Sequence, residues 1–201
     1  MQGIGKGSCL SIKMDEKSFE MSIINNAAST LAGIKPASLF NFSFTSYQQC
    51  YMKLAEMNAL LNAKGVFIEL LKCKNDFYLI YVYRQTALRK ILVDEGTRDL
   101  LADYGYDRSL GLTECLEHLK ERLDMSEAFP HEIGAFLGYP LGDIRGFIEN
   151  EGRNYSCCGI WKVYSNEKES VRFFDKVKKC QTIYARVFNQ GRSIYDMTVG
   201  A

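Results

Sequence analysis

Several features that would mark a specialised protein are scarce or absent in this sequence. Its 201 residues include only 3 prolines, 2 histidines and 1 tryptophan, and neither sign of charge dominates, because 25 Lys and Arg stand against 24 Asp and Glu. A net charge of +1 provides no overall attraction for nucleic acid or for an anionic membrane. We therefore expect neither as a partner.

Long hydrophobic runs and ordered cysteine patterns are also missing. The most apolar stretch, residues 77–83, is far shorter than the roughly 20 residues that cross a bilayer. The seven cysteines form neither a CxxC pair nor a Cys/His array with the spacing of zinc ligands. The first residues lack the apolar segment of a signal peptide. These absences predict a cytoplasmic protein with reduced thiols.

The patterns that are present predict a single α+β domain over residues 1–201, with residues 1–15 as a candidate flexible leader. The composition, 47% hydrophobic and 24% charged, is that of an ordinary folded domain. Helical and strand periodicities interleave without regular βαβ alternation, which predicts a small mixed sheet of about four strands packed against several helices. The predicted helices cover residues 16–31, 46–65, 85–104 with a break near 94–96, 112–123 and 166–191. The predicted strands cover residues 40–44, 66–72, 77–83 and 159–164.

The segment from Ala128 to Asn150 is the richest in residues that can carry chemistry. Pro130 is suited to open a helix, which would place His131 and Glu132 in its first turn, beside free backbone N–H groups. His131 and Glu132 are therefore the candidate catalytic pair, with a neutral imidazole acting as general base or metal ligand. In the alternative interpretation, which the residues favour, Glu132 offsets the helix dipole and His131 bonds to backbone.

Three segments together resemble a known family. They are FPHEIGAFLGYPLGDIRGFIENEG from Phe129, NYSCCGIWKVY at Asn154 to Tyr164, and TLAGIKPASLF at Thr30 to Phe40. They resemble uncharacterised proteins of about 200 residues from anaerobic Gram-positive bacteria, described only as a domain of unknown function. The resemblance covers essentially the whole chain and implies no established activity.

The resemblance adds two expectations. Family members often carry a His-Cys pair just before the TLAGIK motif, where this chain has Asn26-Ala27, which argues against an essential thiol or imidazole at that point. Genes of such proteins lie near those for flavodoxins or iron uptake. The resemblance therefore implies a link to redox or iron metabolism, with a redox protein as partner and haem, flavin or iron as the cofactors to test.

Other residues are candidates for holding a ligand or metal. Gly33 and Lys35 combine a cation with flexible backbone, which suits a phosphate or carboxylate, and Tyr139 and His131 join them as cofactor-binding candidates. The candidate metal ligands are His131, Cys158 and Cys180, since one of two adjacent strand cysteines points outward and Cys180 neighbours it if the last helix packs on that strand. Alternatively, these cysteines are small core residues.

Three functions remain open from the sequence. The first is binding of a small ligand or cofactor in a pocket lined by the FPHEIG and LAGIK segments. The second is an enzyme that uses His131 as acid, base or metal ligand, assisted by Glu132, Lys35, Tyr139 or Asp143. The third is a protein-interaction module. A concave site that joins His131, Lys35 and a cysteine would favour the first two, and a remote apolar patch would favour the third.

Overall fold

A computed structural model describes residues 7–74, 77–125 and 129–200, with side chains from Phe19 onward. The helices of these ranges are α1 Gly7–Leu31, α2 Tyr47–Leu61, α3 Gln85–Leu92, α4 Glu95–Ala102, α5 Leu112–Met125, α6 Ile133–Phe136, α7 Leu141–Glu149, α8 Glu167–Asn189 and α9 Ile194–Met197. The strands are β1 Ala37–Phe42, β2 Val66–Lys74, β3 Phe77–Arg84, β4 Cys157–Cys158 and β5 Lys162–Val163. The predicted α+β class is confirmed.

The strands form two antiparallel sheets instead of one mixed sheet of about four strands. The larger has the order β1-β3-β2, and the smaller pairs β4 with β5. The predicted strand over residues 159–164 was wrong in its extent, because the chain reverses there: the Gly159 N–H donates to the Trp161 carbonyl at 3.0 Å and closes a turn between the two short strands.

The larger sheet separates two apolar cores. Along β3, Tyr78, Ile80 and Val82 point to one face, whereas Tyr81 and Tyr83 point to the other, as the two-residue period of a strand requires. The first core packs the former face against α1, α2 and the C-terminal helices. The second core packs the latter face against α3 to α7.

Local capping signals place several helix ends where the sequence predicted them. Ser46 Oγ accepts the Gln49 N–H at 3.1 Å, and Asn166 Oδ1 accepts the Glu169 N–H at 3.4 Å. Asp94 caps α4 and thereby breaks the helical stretch over residues 85–104. These side chains satisfy N–H groups that have no partner inside the helix.

Helix α1 begins at Gly7, earlier than the predicted residue 16. Helical backbone therefore covers residues 7–15 of the candidate leader, and residues 1–6 lie outside the described residues. None of the helices in the described ranges combines the length and the apolar character that crossing a membrane requires.

Candidate functional site

A cavity of about 360 Å³ lies between the α6–α7 segment and the β4–β5 hairpin. Its aromatic lining residues are Phe129, Tyr139, Phe147 and Trp161. Its aliphatic and glycine lining residues are Pro130, Ile133, Gly134, Leu137, Ile144, Gly159 and Ile160. Four further residues bring polar groups, namely His131, Asp143, Cys158 and Lys162. The cavity thus joins the FPHEIG and CCGIWK segments, whereas the prediction paired FPHEIG with LAGIK.

Asp143 ties the first turn of α7 to the hairpin. It is 2% exposed, and its Oδ1 accepts from the Tyr164 N–H at 2.8 Å, the Ser165 N–H at 2.8 Å and the Ser165 hydroxyl at 2.7 Å. Its Oδ2 accepts the indole N–H of Trp161 at 2.7 Å. Burial by itself would raise the pKa of Asp143, but these hydrogen bonds outweigh burial and lower it. The Asp143 carboxylate therefore joins α7 to Trp161 and to the residues after β5, on the wall of the cavity.

Trp161 forms an aromatic wall of the cavity. Its ring lies 4.8 Å from that of Tyr139, 4.6 Å from that of Phe174 and 5.6 Å from that of Phe173, measured between centroids. These distances fall in the range that aromatic pairs prefer. Because the indole N–H is also held by Asp143, the ring is fixed from several directions while it stays half-buried beside open space.

Two glycines let the three motif segments approach closely. A Cβ on Gly138 would lie 2.2 Å from Pro36 Cγ, and Gly138 has φ +70°. A Cβ on Gly146 would lie 2.5 Å from Tyr164 Cγ. Gly138 therefore brings the LAGIKP turn against the end of α6, and Gly146 brings α7 against the chain that follows β5. These contacts bring the three motif segments together, although no residue of the LAGIK segment lines the cavity.

The structure separates His131 from Glu132. His131 is exposed, lines the cavity and meets the Phe147 ring edge-on at 5.1 Å. Glu132 is 0% exposed and forms an ion pair with Arg122. The expected helix start at Pro130 was wrong, because α6 begins at Ile133 and residues 130–132 form turns closed by bonds between residues three apart. The two side chains therefore have different surroundings, His131 at the cavity and Glu132 against Arg122.

Lys35 lies beside the cavity wall without lining the cavity. It is 7% exposed, and burial lowers its pKa from 10.5 to about 8. Its Nζ lies 5.6 Å from the centre of the Tyr139 ring and has no hydrogen-bond or ion-pair partner in the described part of the chain. Lys35 and Tyr139, both predicted cofactor-binding residues, are thus in contact.

Gly33 lies just after the end of α1 and does not line the cavity. It adopts φ +71° just after the helix, where left-handed backbone ends many helices. Arg84, which sequence reasoning missed, completes this end by donating to the carbonyls of Thr30 and Leu31, each at 2.6 Å. The local geometry therefore accounts for Gly33 without a ligand.

The candidate metal ligands do not converge. Cys158 is exposed, unpaired and lines the cavity with His131, but Cys180 is buried and lines a different groove beside Ile34 and Ile183. Burial raises the pKa of Cys180, which disfavours the thiolate that binds metals. Within the described ranges, no group of three or more His, Cys, Asp or Glu side chains is arranged to hold a metal ion.

With this geometry in view, the comparisons place the chain in a family. Residues 23–198 match the family of proteins of unknown function called DUF3793. The chain belongs to the DUF3793 family. The match runs from within α1 to the residue after α9 and therefore includes the whole cavity, and the expected membership of an uncharacterised family is confirmed. Neither a curated protein nor a solved structure matches the chain.

In this DUF3793 chain, sequence reasoning missed Lys162 as a site residue. Lys162 lines the cavity, and its Nζ donates to the Gly152 carbonyl at 2.7 Å. The ammonium also lies 5.7 Å from the Phe147 ring and 4.9 Å from the Tyr155 ring. A lysine set among the aromatic residues of the CCGIWKVY motif was the available signal.

An exposed apolar surface lies on the other side of the sheet from the cavity. Tyr47 and Tyr51, one helical turn apart on α2, are 62% and 69% exposed, and Met52 beside them is 62% exposed. The buried face of α2 belongs to the first core, whereas the cavity adjoins the second. The cavity joins His131 with a cysteine but not with Lys35, so the arrangement expected of a ligand-binding protein or an enzyme is met in part, and the remote apolar surface on α2 is the feature expected of an interaction module.

Proposed function

We propose that this DUF3793 protein binds a small planar aromatic molecule in the cavity between α6–α7 and the β4–β5 hairpin. The observation that supports this proposal is the aromatic wall of a cavity of about 360 Å³. Ligand pockets are mostly apolar, with a few polar groups that orient the ligand, and have volumes upward of about 300 Å³. The cavity lies at the small end of that range.

We expect the ligand to contain an aromatic ring because aromatic side chains line the cavity. Tyr139 and Trp161 are tilted by 32° to each other, and Phe147 stands elsewhere in the same lining. A flat aromatic molecule gains offset or edge-to-face contacts on such walls that an aliphatic ligand of equal area lacks. The volume favours one to three fused rings, such as an indole or the ring of a flavin, over a porphyrin.

Binding is better supported than catalysis. General acid–base chemistry needs a titratable side chain within reach of a reacting group and usually a second group that orients it. His131 lies at the cavity, but Glu132 pairs with Arg122 elsewhere, and all four hydrogen bonds of Asp143 go to the protein itself. The enzyme hypothesis therefore rests on His131 alone.

The remaining expectations about context stay predictions. A flavin is the redox cofactor whose ring best suits the cavity, and a redox protein partner would follow from it. A cytoplasmic location accords with the six cysteines whose side chains the structure describes, all of which are unpaired.

Calorimetric titration with tryptophol, a neutral indole alcohol, tests the proposal. We expect the wild-type protein to bind tryptophol and Cys158→Phe to lose binding, because a phenyl group at Cys158 fills the cavity. Cys73→Phe is the matched control, since Cys73 is also an exposed, unpaired cysteine in a strand but does not line the cavity. Riboflavin and haemin are titrated in parallel, and an absorption spectrum after anaerobic purification detects a co-purified flavin or haem. If the wild-type protein binds neither an indole nor riboflavin, the proposal is wrong.

A further inference from the structure

The acidic and the basic side chain of the cavity differ in how many of their hydrogen-bonding groups the protein already uses. Asp143 is the acidic side chain among the lining residues, and its two oxygens already accept four hydrogen bonds from the hairpin and the residues after it. The lining also holds one lysine, Lys162. A ligand in the cavity therefore finds the acceptors of Asp143 already occupied, whereas the ammonium of Lys162 forms no ion pair with another described residue.

Lys162 is positioned to donate to a ligand. An ammonium has three N–H donors, and in the described chain Lys162 uses one of them, toward the Gly152 carbonyl. It is half-buried between the rings of Phe147 and Tyr155 and has no ion-pair partner among the described residues. Two donors remain for a group inside the cavity, at a place where nearby rings weaken the screening by water.

Lys35 adds a second positive charge near the same wall. Its Nζ lies against the ring of Tyr139, which lines the cavity, and it too lacks an acidic partner within the described ranges. Hence both lysines near the aromatic wall are unpaired, and the lining acid is saturated. Electrostatic complementarity then selects against a cationic ligand and for an anionic one.

We infer that the ligand is an aromatic acid whose carboxylate accepts hydrogen bonds from Lys162 while its ring lies against Trp161 and Tyr139. This inference rests on the proposed function, because it names the class of molecule that the same cavity takes. A charge-assisted bond to a half-buried ammonium is stronger than a bond between neutral groups, so the acid should bind about tenfold more tightly than a neutral analogue of the same shape.

Binding of three indoles that differ only in their end group tests the effect of ligand charge separately from the effect of the ring. We expect indoleacetate to bind more tightly than tryptophol, and tryptamine, which carries a cation, to bind most weakly, all measured by calorimetry at neutral pH. In Lys162→Met, most of the preference for indoleacetate over tryptophol should be lost. Lys162→Arg, which retains the charge, should keep the preference for the acid and guards against a folding defect in the methionine variant. Lys168→Met, at an exposed lysine of α8 that is not a lining residue, is the matched control.

The outcomes distinguish the two proposals. If tryptophol and indoleacetate bind equally to the wild-type protein and both are lost in Cys158→Phe, the cavity binds aromatic rings but the inferred charge preference is wrong. If the preference persists in Lys162→Met, the assignment to Lys162 is wrong. If neither the three indoles nor riboflavin binds, both the proposed function and this inference fail, and if riboflavin alone binds, the proposed function stands and this inference fails.

Discussion

The first core and the cavity region, on opposite sides of the larger sheet, are held together by different forces. In the first core, Phe19, Phe42, Phe44 and Tyr78 pack with ring centroids 4.7 to 5.1 Å apart, and most of its side chains are fully buried. The cavity region depends instead on one saturated carboxylate, Asp143, and on close contacts made possible by glycine. The first core is stabilised by many apolar contacts that leave little empty space. The cavity region is stabilised by a few hydrogen bonds that join α7 to the hairpin and leave space between them.

The largest expected effect is at Asp143. Asp143→Ala leaves the Trp161 indole N–H and two backbone N–H groups without their acceptor, and each buried unsatisfied donor costs about 1–3 kcal/mol. We expect unfolding free energy to fall by about 4 kcal/mol, measured by chemical denaturation.

A matched variant in the first core tests whether the two regions unfold differently. Ile80→Ala should cost a similar amount, about 4 kcal/mol, through loss of packing at a side chain that is 0% exposed. Trp161 is the single tryptophan, so its fluorescence reports on the cavity region alone, whereas circular dichroism reports on all helices. In Asp143→Ala the fluorescence transition should precede the dichroism transition, and in Ile80→Ala the two should coincide. Coincident transitions in both variants would show that the regions do not differ in this way.

The contribution of Asp143 also sets a pH dependence. Its pKa in the folded protein lies below the ordinary value of 3.8, because its hydrogen bonds outweigh burial. The stabilisation is therefore fully present above pH 3.8 and is lost as the pH falls through the folded-state value. The difference in stability between the wild-type protein and Asp143→Ala should narrow in acid.

Lys35→Met should stabilise the protein. Burial lowers the pKa of Lys35 to about 8 from 10.5, so the protonated form costs folding free energy at neutral pH, by roughly 1.4 kcal/mol for each pKa unit. The folded state gives up its proton first as the pH rises, so this cost is full below pH 8 and disappears by pH 10.5. Thermal unfolding should show that Lys35→Met is more stable than the wild-type protein by about 3 kcal/mol at neutral pH. This difference should decrease between pH 8 and pH 10.5. Lys178→Met, at an exposed position, should show no such gain.

Gly146→Ala should cost about 2 kcal/mol, because the added Cβ would meet atoms at the root of the Tyr164 side chain, which cannot rotate away. Gly142→Ala is the control on the same helix: its nearest contact, to Ser165 Cβ, is an ordinary 3.4 Å, and alanine favours helix. Equal melting temperatures for the two variants would contradict the close approach between α7 and the chain after β5.

The smallest effect on stability is expected at His131. His131→Ala should change the unfolding free energy by less than about 1 kcal/mol, since the side chain is exposed, but should weaken tryptophol binding. His118, the other histidine, is the contrast: its ring packs 4.3 Å from that of Tyr106, and its Nε2 bonds to the Tyr104 carbonyl. His118→Ala should lose more stability and leave binding unchanged. A large loss of stability in His131→Ala with unchanged tryptophol binding would show that His131 has a structural role.

The sequence predicted the regular elements better than the site. Apolar, β-branched and aromatic runs in β2 and β3 and capping side chains such as Ser46 and Asn166 act locally, so they can be recognised in a single chain. The β4–β5 hairpin was missed because two-residue strands carry too few residues to show a period. The different surroundings of His131, at the cavity, and Glu132, against Arg122, could not be predicted, because they depend on contacts with residues distant in the sequence.

The sequence by itself determined the α+β class, most helix boundaries, the membership of the DUF3793 family and the importance of the segment from Phe129 to Asn150. These depend on periodicity, capping and motif content, which are local properties of the chain. Only the tertiary structure decided that Lys162, Trp161 and Cys158 complete a cavity with His131, and that Glu132 and Cys180 do not. Those relations depend on contacts between residues far apart in the chain, such as Asp143 with Trp161, which form only when the elements pack.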